Sequence, residues 1–214
     1  MSTDPWSDRA QAYVDSDAHR EGADLDQLVK WAADAKTALD VATGGGHVAR
    51  RLEETGLEVI TCDPAPGMRP DVICRAESLP FAARAFDVVA CRTAAHHFSD
   101  VRASVREMAR VSGDRVLIVD TLHMGDAVED AEVLRDPSHV RNYTEAEWRG
   151  FVEEAGLGID DVAFFAHTFD FSAWLQRTGC EGEEAERAAE LLGERVQDGR
   201  LTLDKIGIKA MTGF

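Results

Sequence analysis

Three consecutive glycines between two carboxylates are the part of this 214-residue chain with the clearest chemical potential. An apolar run from Ala38 to Ala42 stops just before Gly44, Gly45 and Gly46, and a helical pattern begins immediately afterwards. Backbone without Cβ atoms can pass close to a ligand, and the free N–H groups of the next helix face the same space. This strand, turn and helix therefore predict a nucleotide-type binding site.

The glycine spacing alone fits two classes of ligand. Gly44, Gly46 and Ala49 satisfy the GxGxxA fingerprint of dinucleotide-binding proteins, with Asp63 at a suitable distance for a ribose hydroxyl. Asp40, however, lies inside the predicted strand, where a carboxylate needs hydrogen-bond donors. The amino end of a cationic ligand would supply them. The sequence favours such a ligand, and an NAD-dependent oxidoreductase stays as the alternative.

Four histidines and a tyrosine are the candidates for acid–base chemistry. His96 and His97 follow the predicted fourth strand, and His123, His139 and Tyr143 follow the fifth. Any of the histidines could take a proton near pH 7, while Tyr143 could orient an acceptor by hydrogen bonding. Because adjacent side chains point in different directions, only one of His96 and His97 is expected to face the pocket.

The cysteines give no sign of a metal site or a disulfide framework. Cys62, Cys74, Cys91 and Cys180 form no CxxC pair, so reduced thiols and no bound metal are expected. A metal-dependent variant stays open as an alternative, because the first three cysteines fall at predicted strand ends and the chain also has the four candidate histidines.

Alternating strands and helices must position these residues. Two short helices are expected before the first strand, and Thr144 with Glu147 predicts a capping box. A very acidic helix is expected from Glu183 to Gln197, after a short helix around Trp174. Strands are expected at 38–42, 57–62, 71–74, 86–91, 112–121, 159–171 and 200–210, with other helices at 47–54, 101–111 and 144–155.

Several motifs together resemble one enzyme family. The run from Asp40 to Gly46 resembles motif I of the class I S-adenosylmethionine (SAM)-dependent methyltransferases, with Ala42 at the first glycine position. AESLPF (76–81), FDVVACRTAAHHF (86–98) and RDPSHVRNYTEAEW (135–148) resemble the small-molecule subgroup near the ubiquinone and menaquinone methyltransferases. The resemblance covers most of residues 10–160.

The resemblance implies a fold and a domain organisation. It implies a Rossmann-like α/β three-layer sandwich whose mostly parallel, seven-stranded sheet has the order 3-2-1-4-5-7-6 and an antiparallel last strand. A single domain over 1–214 is expected, with an N-terminal helical lid at about 4–35 and a substrate-side insertion at about 122–150.

The resemblance also implies a reaction and a set of binding residues. The reaction is in-line transfer of a methyl group from SAM to a small-molecule acceptor, for which the protein mainly aligns the reacting groups. Asp63 would bind the ribose, Ala76 and Glu77 the adenine edge, and Tyr13 and His19 would belong to the lid. The full set expected to bind the cofactor is Tyr13, His19, Asp40, Ala42, Thr43, Gly44, Gly46, Asp63, Ala76, Glu77, Cys91 and Arg92.

Three departures from the family pattern leave another alternative open. The helix that usually follows Asp63 is replaced by PAPGMRPD, Arg75 stands where the family has Asp or Asn, and the turn at Ser112 is shortened. A catalytically silent SAM-fold binding protein would also explain these departures.

Charge and composition limit the partners. The net charge is −17, which repels phosphate backbones and argues against nucleic acid. No apolar run approaches the roughly 20 residues of a membrane helix, so a cytoplasmic protein without a membrane partner is expected, as a monomer or a homodimer.

Overall fold

The computed structural model describes residues 5–213, in which helices cover both faces of one sheet. The strands are β1 (Thr37–Val41), β2 (Glu58–Asp63), β3 (Val72–Ile73), β4 (Phe86–Arg92), β5 (Ser112–Thr121), β6 (Gly158–Asp170), β7 (Val196–Gln197) and β8 (Arg200–Met211). The helices are α1 (Pro5–Asp8), α2 (Ala10–Val14), α3 (Asp17–Arg20), α4 (Ala23–Trp31), α5 (His47–Glu53), α6 (Val101–Val111), α7 (Asp126–Arg135), α8 (Glu145–Glu154), α9 (Phe171–Gln176) and α10 (Gly182–Leu192). Short 3-10 turns cover Pro66–Met68, Ala95–His97 and Gly193–Arg195.

The sheet has the predicted topology. Its order is β3-β2-β1-β4-β5-β8-β6, and the two-residue β7 pairs with β8. The pairs from β3 to β5 are parallel, whereas β8 runs antiparallel to both β5 and β6. The predicted order 3-2-1-4-5-7-6 is confirmed, because the seventh predicted strand is β8 here.

Two apolar layers hold the helices against the sheet. Val88 and Ala90 of β4 pack with α4 and α5 on one face, while Val89 and Cys91 pack with α6 and α8 on the other. This double burial explains why β4 is an almost continuous apolar run. A third cluster packs α7, α9 and α10 on the end of β8, around Trp174 and Leu201.

Some expected elements are shorter or more numerous than the sequence suggested. Residues 5–31 form four short helices in place of two, and residue 4 lies outside the described range. The acidic helix ends at Leu192 because Gly193 takes a positive φ, of 52°. Asp198 and Gly199, both at positive φ, then turn β7 into β8, which is the hairpin that an Asp-Gly pair favours.

Two other local predictions have clear outcomes. The capping box is confirmed, since Thr144 accepts from the Glu147 backbone N–H and Glu147 accepts from that of Thr144. No separate turn stands at Ser112, because α6 ends at Val111 and β5 begins at the next residue. Between residues 5 and 213, no helix is long and apolar enough to cross a membrane.

Candidate functional site

A cavity of about 170 Å³ opens where β1, β2 and β4 end at the carboxyl edge of the sheet. Ligands of open α/β sheets bind at this edge. Nine of the twelve residues expected to bind the cofactor line the cavity: Tyr13, His19, Ala42, Thr43, Gly44, Asp63, Ala76, Glu77 and Arg92. Its other walls include the apolar side chains of Val48, Met68 and Phe98.

The glycine turn forms the floor of this cavity. Gly44 has a φ of +50°, and a Cβ built there would meet nothing within 4 Å. At Gly45, in contrast, a Cβ would lie 2.7 Å from the Tyr13 carbonyl oxygen, so glycine is needed there for space. Ala42 adopts a φ of 54°, a left-handed conformation that costs a non-glycine residue of order 1 kcal/mol.

Asp40 holds the glycine turn and the start of α5 by hydrogen bonds. Its Oδ2 accepts hydrogen bonds from the Thr43 hydroxyl at 2.6 Å and from the Ala49 backbone N–H at 3.2 Å. Burial raises the pKa of Asp40 to about 7, although these bonds oppose the shift. Asp40 does not line the cavity, and neither do Gly46, which caps α5, or Cys91, which lies in the core.

Asp63 joins the end of β2 to the glycine turn. Its Oδ2 accepts from the Gly44 N–H at 3.0 Å and its Oδ1 from the Ala65 N–H at 2.9 Å. Asp63 also lines the cavity, and a carboxylate has about four acceptor positions. Asp63 is therefore placed to accept hydroxyl groups of a ligand.

The segment after Asp63 is truncated, as the sequence predicted. Only the 3-10 turn Pro66–Met68 stands there, and its Gly67 N–H donates to the Ser7 hydroxyl of α1 at 2.8 Å. Pro64 and Met68 still line the cavity. The shortened segment therefore forms a wall, with α1 packed behind it.

The side chains of Arg75 and Glu77 both form hydrogen bonds with Ser99. Glu77 Oε1 accepts from the Ser99 N–H at 3.0 Å and its hydroxyl at 2.7 Å, which fixes the start of α6. The Arg75 guanidinium donates to Ser99 at 2.9 Å, and its side chain is 62 % exposed. Ala76 and Glu77, the two residues expected to contact adenine, both line the cavity.

Hydrogen bonds tie the N-terminal helices to residues that line the cavity. The His47 ring, which accepts from Arg50 through Nδ1, donates through Nε2 to the Tyr13 carbonyl at 2.9 Å. Asp24 of α4 accepts two hydrogen bonds from Arg92, at 2.9 and 3.1 Å, and one from Lys205 at 3.0 Å. Burial would raise the pKa of Asp24, but the charges of Lys205 and Arg92 hold that pKa far below its usual range.

A second cavity of about 50 Å³ adjoins the first. The two share Tyr13, His19, Thr93 and His97. The second is lined further by groups from α7, α9, β6 and β8 that are mostly charged or aromatic: Glu132, Arg135, His167, Phe169, Trp174, Arg177 and Lys205. Two ligands, one in each cavity, would therefore come together at these shared residues.

His96 faces the second cavity as half of a buried pair. Its Nδ1 lies 2.6 Å from Asp120 Oδ1, and its backbone N–H donates to Asp120 Oδ2 at 3.0 Å. Burial disfavours the charged ring, but the Asp120 carboxylate outweighs this and raises the pKa of His96. The arrangement orients the ring and makes it a stronger base.

His97 lines both cavities, whereas His96 lines only the second. The expectation that one of the two rings faces the pocket therefore holds for the first cavity, while both rings line the second. Residues 95–97 form a 3-10 turn directly after β4, so both histidines lie at the carboxyl edge of the sheet. His97 Nδ1 donates to the Ser138 carbonyl at 3.1 Å. Burial and the charge of His96 hold the pKa of His97 well below its usual value, so this ring is neutral.

The other three candidates for acid–base chemistry line neither cavity. His139 and His123 contact the two oxygens of Glu129, at 3.0 and 3.3 Å, and hold the loop after α7. The Tyr143 ring packs edge-on against Trp148 and Phe151 in the core. The contacts of all three side chains are therefore structural.

Sequence reasoning did not single out four charged residues of the site. Asp120 ends the apolar run of β5 as Asp63 ends β2, and this pattern could have identified it. Asp24 lies in the expected lid segment, where no local signal distinguishes it from the other acidic residues. Lys205 and Arg177 carry no local signal, because the tertiary fold alone brings β8 and the end of α9 to the cavity. No group of three His, Cys, Asp or Glu side chains in residues 5–213 is placed to hold a metal ion.

Comparison with known proteins gives a consistent assignment. The family model described as a methyltransferase domain matches residues 39–123. The uncharacterised methyltransferase YcgJ of Bacillus subtilis (strain 168) is 32% identical over 222 residues, which cover 92% of this chain and 88% of YcgJ. The crystal structure of the YcgJ protein has a TM-score of 0.78 and 28% identity over 89% of this chain and 98% of that one.

A more distant relative has a printed activity. The demethylmenaquinone methyltransferase of Beutenbergia cavernae is 34% identical over 110 residues, which cover 46% of this chain and 45% of that protein. The match therefore extends over about half of each chain.

Proposed function

The chain belongs to the class I SAM-dependent methyltransferases, and we propose that it transfers the methyl group by in-line displacement to a small-molecule acceptor held in the second cavity. The observation that carries this proposal is the junction of two cavities. One is floored by the glycine turn, the other is enclosed by α7 and α9, and His97 lines both.

The residues around the first cavity fit SAM. The Asp63 carboxylate offers acceptors for the ribose hydroxyls, Met68 and Phe98 offer apolar surface for the adenine ring, and the glycine turn leaves room beside the backbone. When bound, SAM supplies a methyl group on a sulfonium, which is a good leaving group. The protein then has to align the acceptor and exclude water, which can lower the barrier by about 7–11 kcal/mol.

Proton removal from the acceptor is assigned to His96. A base works best when its pKa lies near the working pH, and Asp120 moves the pKa of His96 in that direction. The neutral His97 ring, fixed by Ser138, would position the acceptor at the junction. Residues up to about 35 would act as the lid, and residues 122–150 would form the acceptor side.

The acceptor is proposed to be small because the second cavity has a volume of only about 50 Å³. The demethylmenaquinone methyltransferase relative makes a quinone-like ring one candidate, in line with the motifs at 76–81 and 86–98. The acidic chain, with its net charge of −17, disfavours nucleic acid.

The first experiment measures SAM binding by calorimetry, followed by transfer of a radiolabelled methyl group to a panel of acceptors. Asp63→Asn should weaken SAM binding by about tenfold or more, because a charged acceptor is lost. Asp71→Asn is the matched control, since Asp71 binds Thr61 in the same part of the sheet but does not line the cavity. Equal affinity in wild type and Asp63→Asn, or no binding to wild type, would contradict the assignment.

A further inference from the structure

The second cavity is unusually basic for so acidic a protein. Three of the 23 lysine and arginine residues of the chain, Arg135, Arg177 and Lys205, line it. Glu132 is the one carboxylate among its lining residues within the described range. Such an excess of positive charge in a confined space calls for a negative partner.

Two of the three cations are only partly neutralised by their neighbours. Arg135 lies 3.7 Å from Glu132 and stacks over Trp174, with its guanidinium carbon 4.7 Å from the ring centroid. Lys205 forms an ion pair with Asp24 at 3.0 Å, but Asp24 also forms an ion pair with Arg92. One carboxylate thus balances two cations, and a positive charge is left over beside the cavity.

Arg177 has no acidic partner among the described ion pairs and hydrogen bonds. Its nearest described contact is the Tyr13 ring, whose centroid lies 6.0 Å from the guanidinium carbon. Burial and, after it, the charge of Arg135 together lower the pKa of Arg177 to about 10. Leaving a guanidinium half-buried without an anion is costly, so the site is arranged for a ligand that supplies one.

We propose that the methyl acceptor is a small organic carboxylate, whose anionic group is bound by Arg177 with support from Arg135. This inference rests on the proposed methyl transfer and specifies its substrate class. The planar guanidinium of arginine matches a carboxylate in two parallel hydrogen bonds. A carboxylate fits better than a dianionic phosphate because Glu132 faces the same small space.

The position of Arg177 also sets the orientation of the acceptor. Arg177 lines only the second cavity, whereas His97 and Thr93 line both. A carboxylate held at Arg177 therefore directs the opposite end of the molecule to the junction. There, the nucleophile would meet the transferred methyl group beside His97, while His96 lines the same cavity as the rest of the acceptor.

The test uses small probes in calorimetric titrations with and without S-adenosylhomocysteine, which fills the first cavity and blocks carboxylate binding there. Acetate, crotonate and benzoate are each compared with their uncharged amides. We expect the carboxylates to bind about tenfold tighter or more than the amides. In Arg177→Gln this preference should fall to about twofold or less, and Arg177→Lys should retain only part of it.

Arg187→Gln is the matched control, because Arg187 pairs with Glu190 on the exposed face of α10. It should bind the probes as the wild type does. Arg177→Gln should fold normally, since it removes a cation without a described acidic partner, and circular dichroism checks this.

Equal binding of carboxylates and amides, an unchanged preference in Arg177→Gln, or no carboxylate binding up to about 10 mM would each overturn the proposal. A titration with S-adenosylhomocysteine distinguishes a wrong substrate class from a failure of the proposed methyl transfer. If it binds and the carboxylates do not, the substrate class is wrong and methyl transfer stands. If it does not bind, methyl transfer itself fails, while the titrations without it still report on Arg177.

Discussion

Asp120 determines how well His96 can act as a base. Replacing it in Asp120→Asn removes the charge that stabilises the protonated ring, so the pKa of His96 should fall, and an amide can hold the wrong tautomer. Turnover should decrease by about 100-fold, within the range expected for loss of a general base. A pH–rate profile checks this with any acceptor found by the panel.

The direction of the pH effect follows from the sign of the shift. In the wild type, activity should fall as the pH drops through the raised pKa of His96, because the protonated ring cannot accept a proton. In Asp120→Asn the acidic limb should move to lower pH. Asp114→Asn, on the same strand but paired with Arg115 at the surface, should leave the profile unchanged. An unshifted limb in Asp120→Asn would remove His96 from this role.

Ala42 carries backbone strain at the point where β1 enters the glycine turn. Its φ of 54° is favourable only for glycine, so Ala42→Gly should raise the free energy of unfolding by about 1 kcal/mol. Urea denaturation measures the change. Ala38→Gly, inside β1, should instead lower stability, since it gains backbone entropy in the unfolded chain and loses a buried methyl group. A destabilised Ala42→Gly would mean that the alanine methyl group makes a needed contact.

Among the elements, α1 depends on the absence of a side chain at Gly67. A Cβ at that position would lie 2.5 Å from Ser7 Cα and 2.8 Å from the Ser7 carbonyl oxygen. Both are backbone atoms, which cannot move aside as the end of a flexible side chain can. Gly67→Ala should therefore detach α1 from the 3-10 turn. Faster hydrogen exchange over residues 5–14, with little change in global stability, is the expected result.

Gly150 provides the control for that substitution. A Cβ there meets nothing within 4 Å, and Gly150 lies inside α8. Gly150→Ala should raise the free energy of unfolding by about 0.5–1 kcal/mol through helix propensity and leave exchange in α1 unchanged. Unaltered exchange in Gly67→Ala would show that α1 does not rest on this contact.

The elements themselves were largely predictable, for identifiable physical reasons. β4 is a continuous apolar run because both of its faces are covered, and Thr144 with Glu147 fixes the start of α8 through local hydrogen bonds. The end of α10 was misplaced because the Asp-Gly turn at 198–199 was not recognised. Apolar patterns, capping residues and turn residues thus predicted the elements wherever each of these sequence signals was recognised.

Across the whole molecule, Asp24 connects three distant segments. In Asp24→Asn, Arg92 and Lys205 stay buried next to each other without their shared anion. Removing one member of a buried ion pair typically costs about 3–5 kcal/mol, and urea denaturation should show a loss of this order. Asp26→Asn is the control, because the Asp26–Arg51 pair is exposed and contributes about 1 kcal/mol or less.

The pH dependence of stability gives a second measure of the same contact. The pKa of Asp24 is lowered in the folded protein, so its contribution is complete above the unfolded value near 3.8 and is lost as the pH falls below it. Wild type should therefore lose stability more steeply than Asp24→Asn at acid pH. Parallel curves for the two proteins would show that Asp24 is not held in this pair.

The parts of the site that the sequence did not predict are those assembled over long distances. The glycine turn and Asp63 lie within one strand–helix–strand unit, so their proximity follows from local order. Lys205 and Arg177 reach the second cavity only because β8 is inserted between β5 and β6 and α9 folds back over that edge. His123 and His139 were expected to take part in acid–base chemistry because they follow a strand that ends near the pocket. Their rings nevertheless lie outside it, since nearness in sequence does not fix where a side chain points.

The bond between Asp24 and Lys205 spans 181 positions of the chain. Synthesis proceeds from the amino terminus, so Lys205 leaves the ribosome 181 residues after Asp24. Until then β6 also lacks the strand that joins it to β5. A nascent chain therefore lacks both this ion pair and a continuous sheet until β8 has been made, and a product terminated before β8 should be degraded more readily than the chain that contains it.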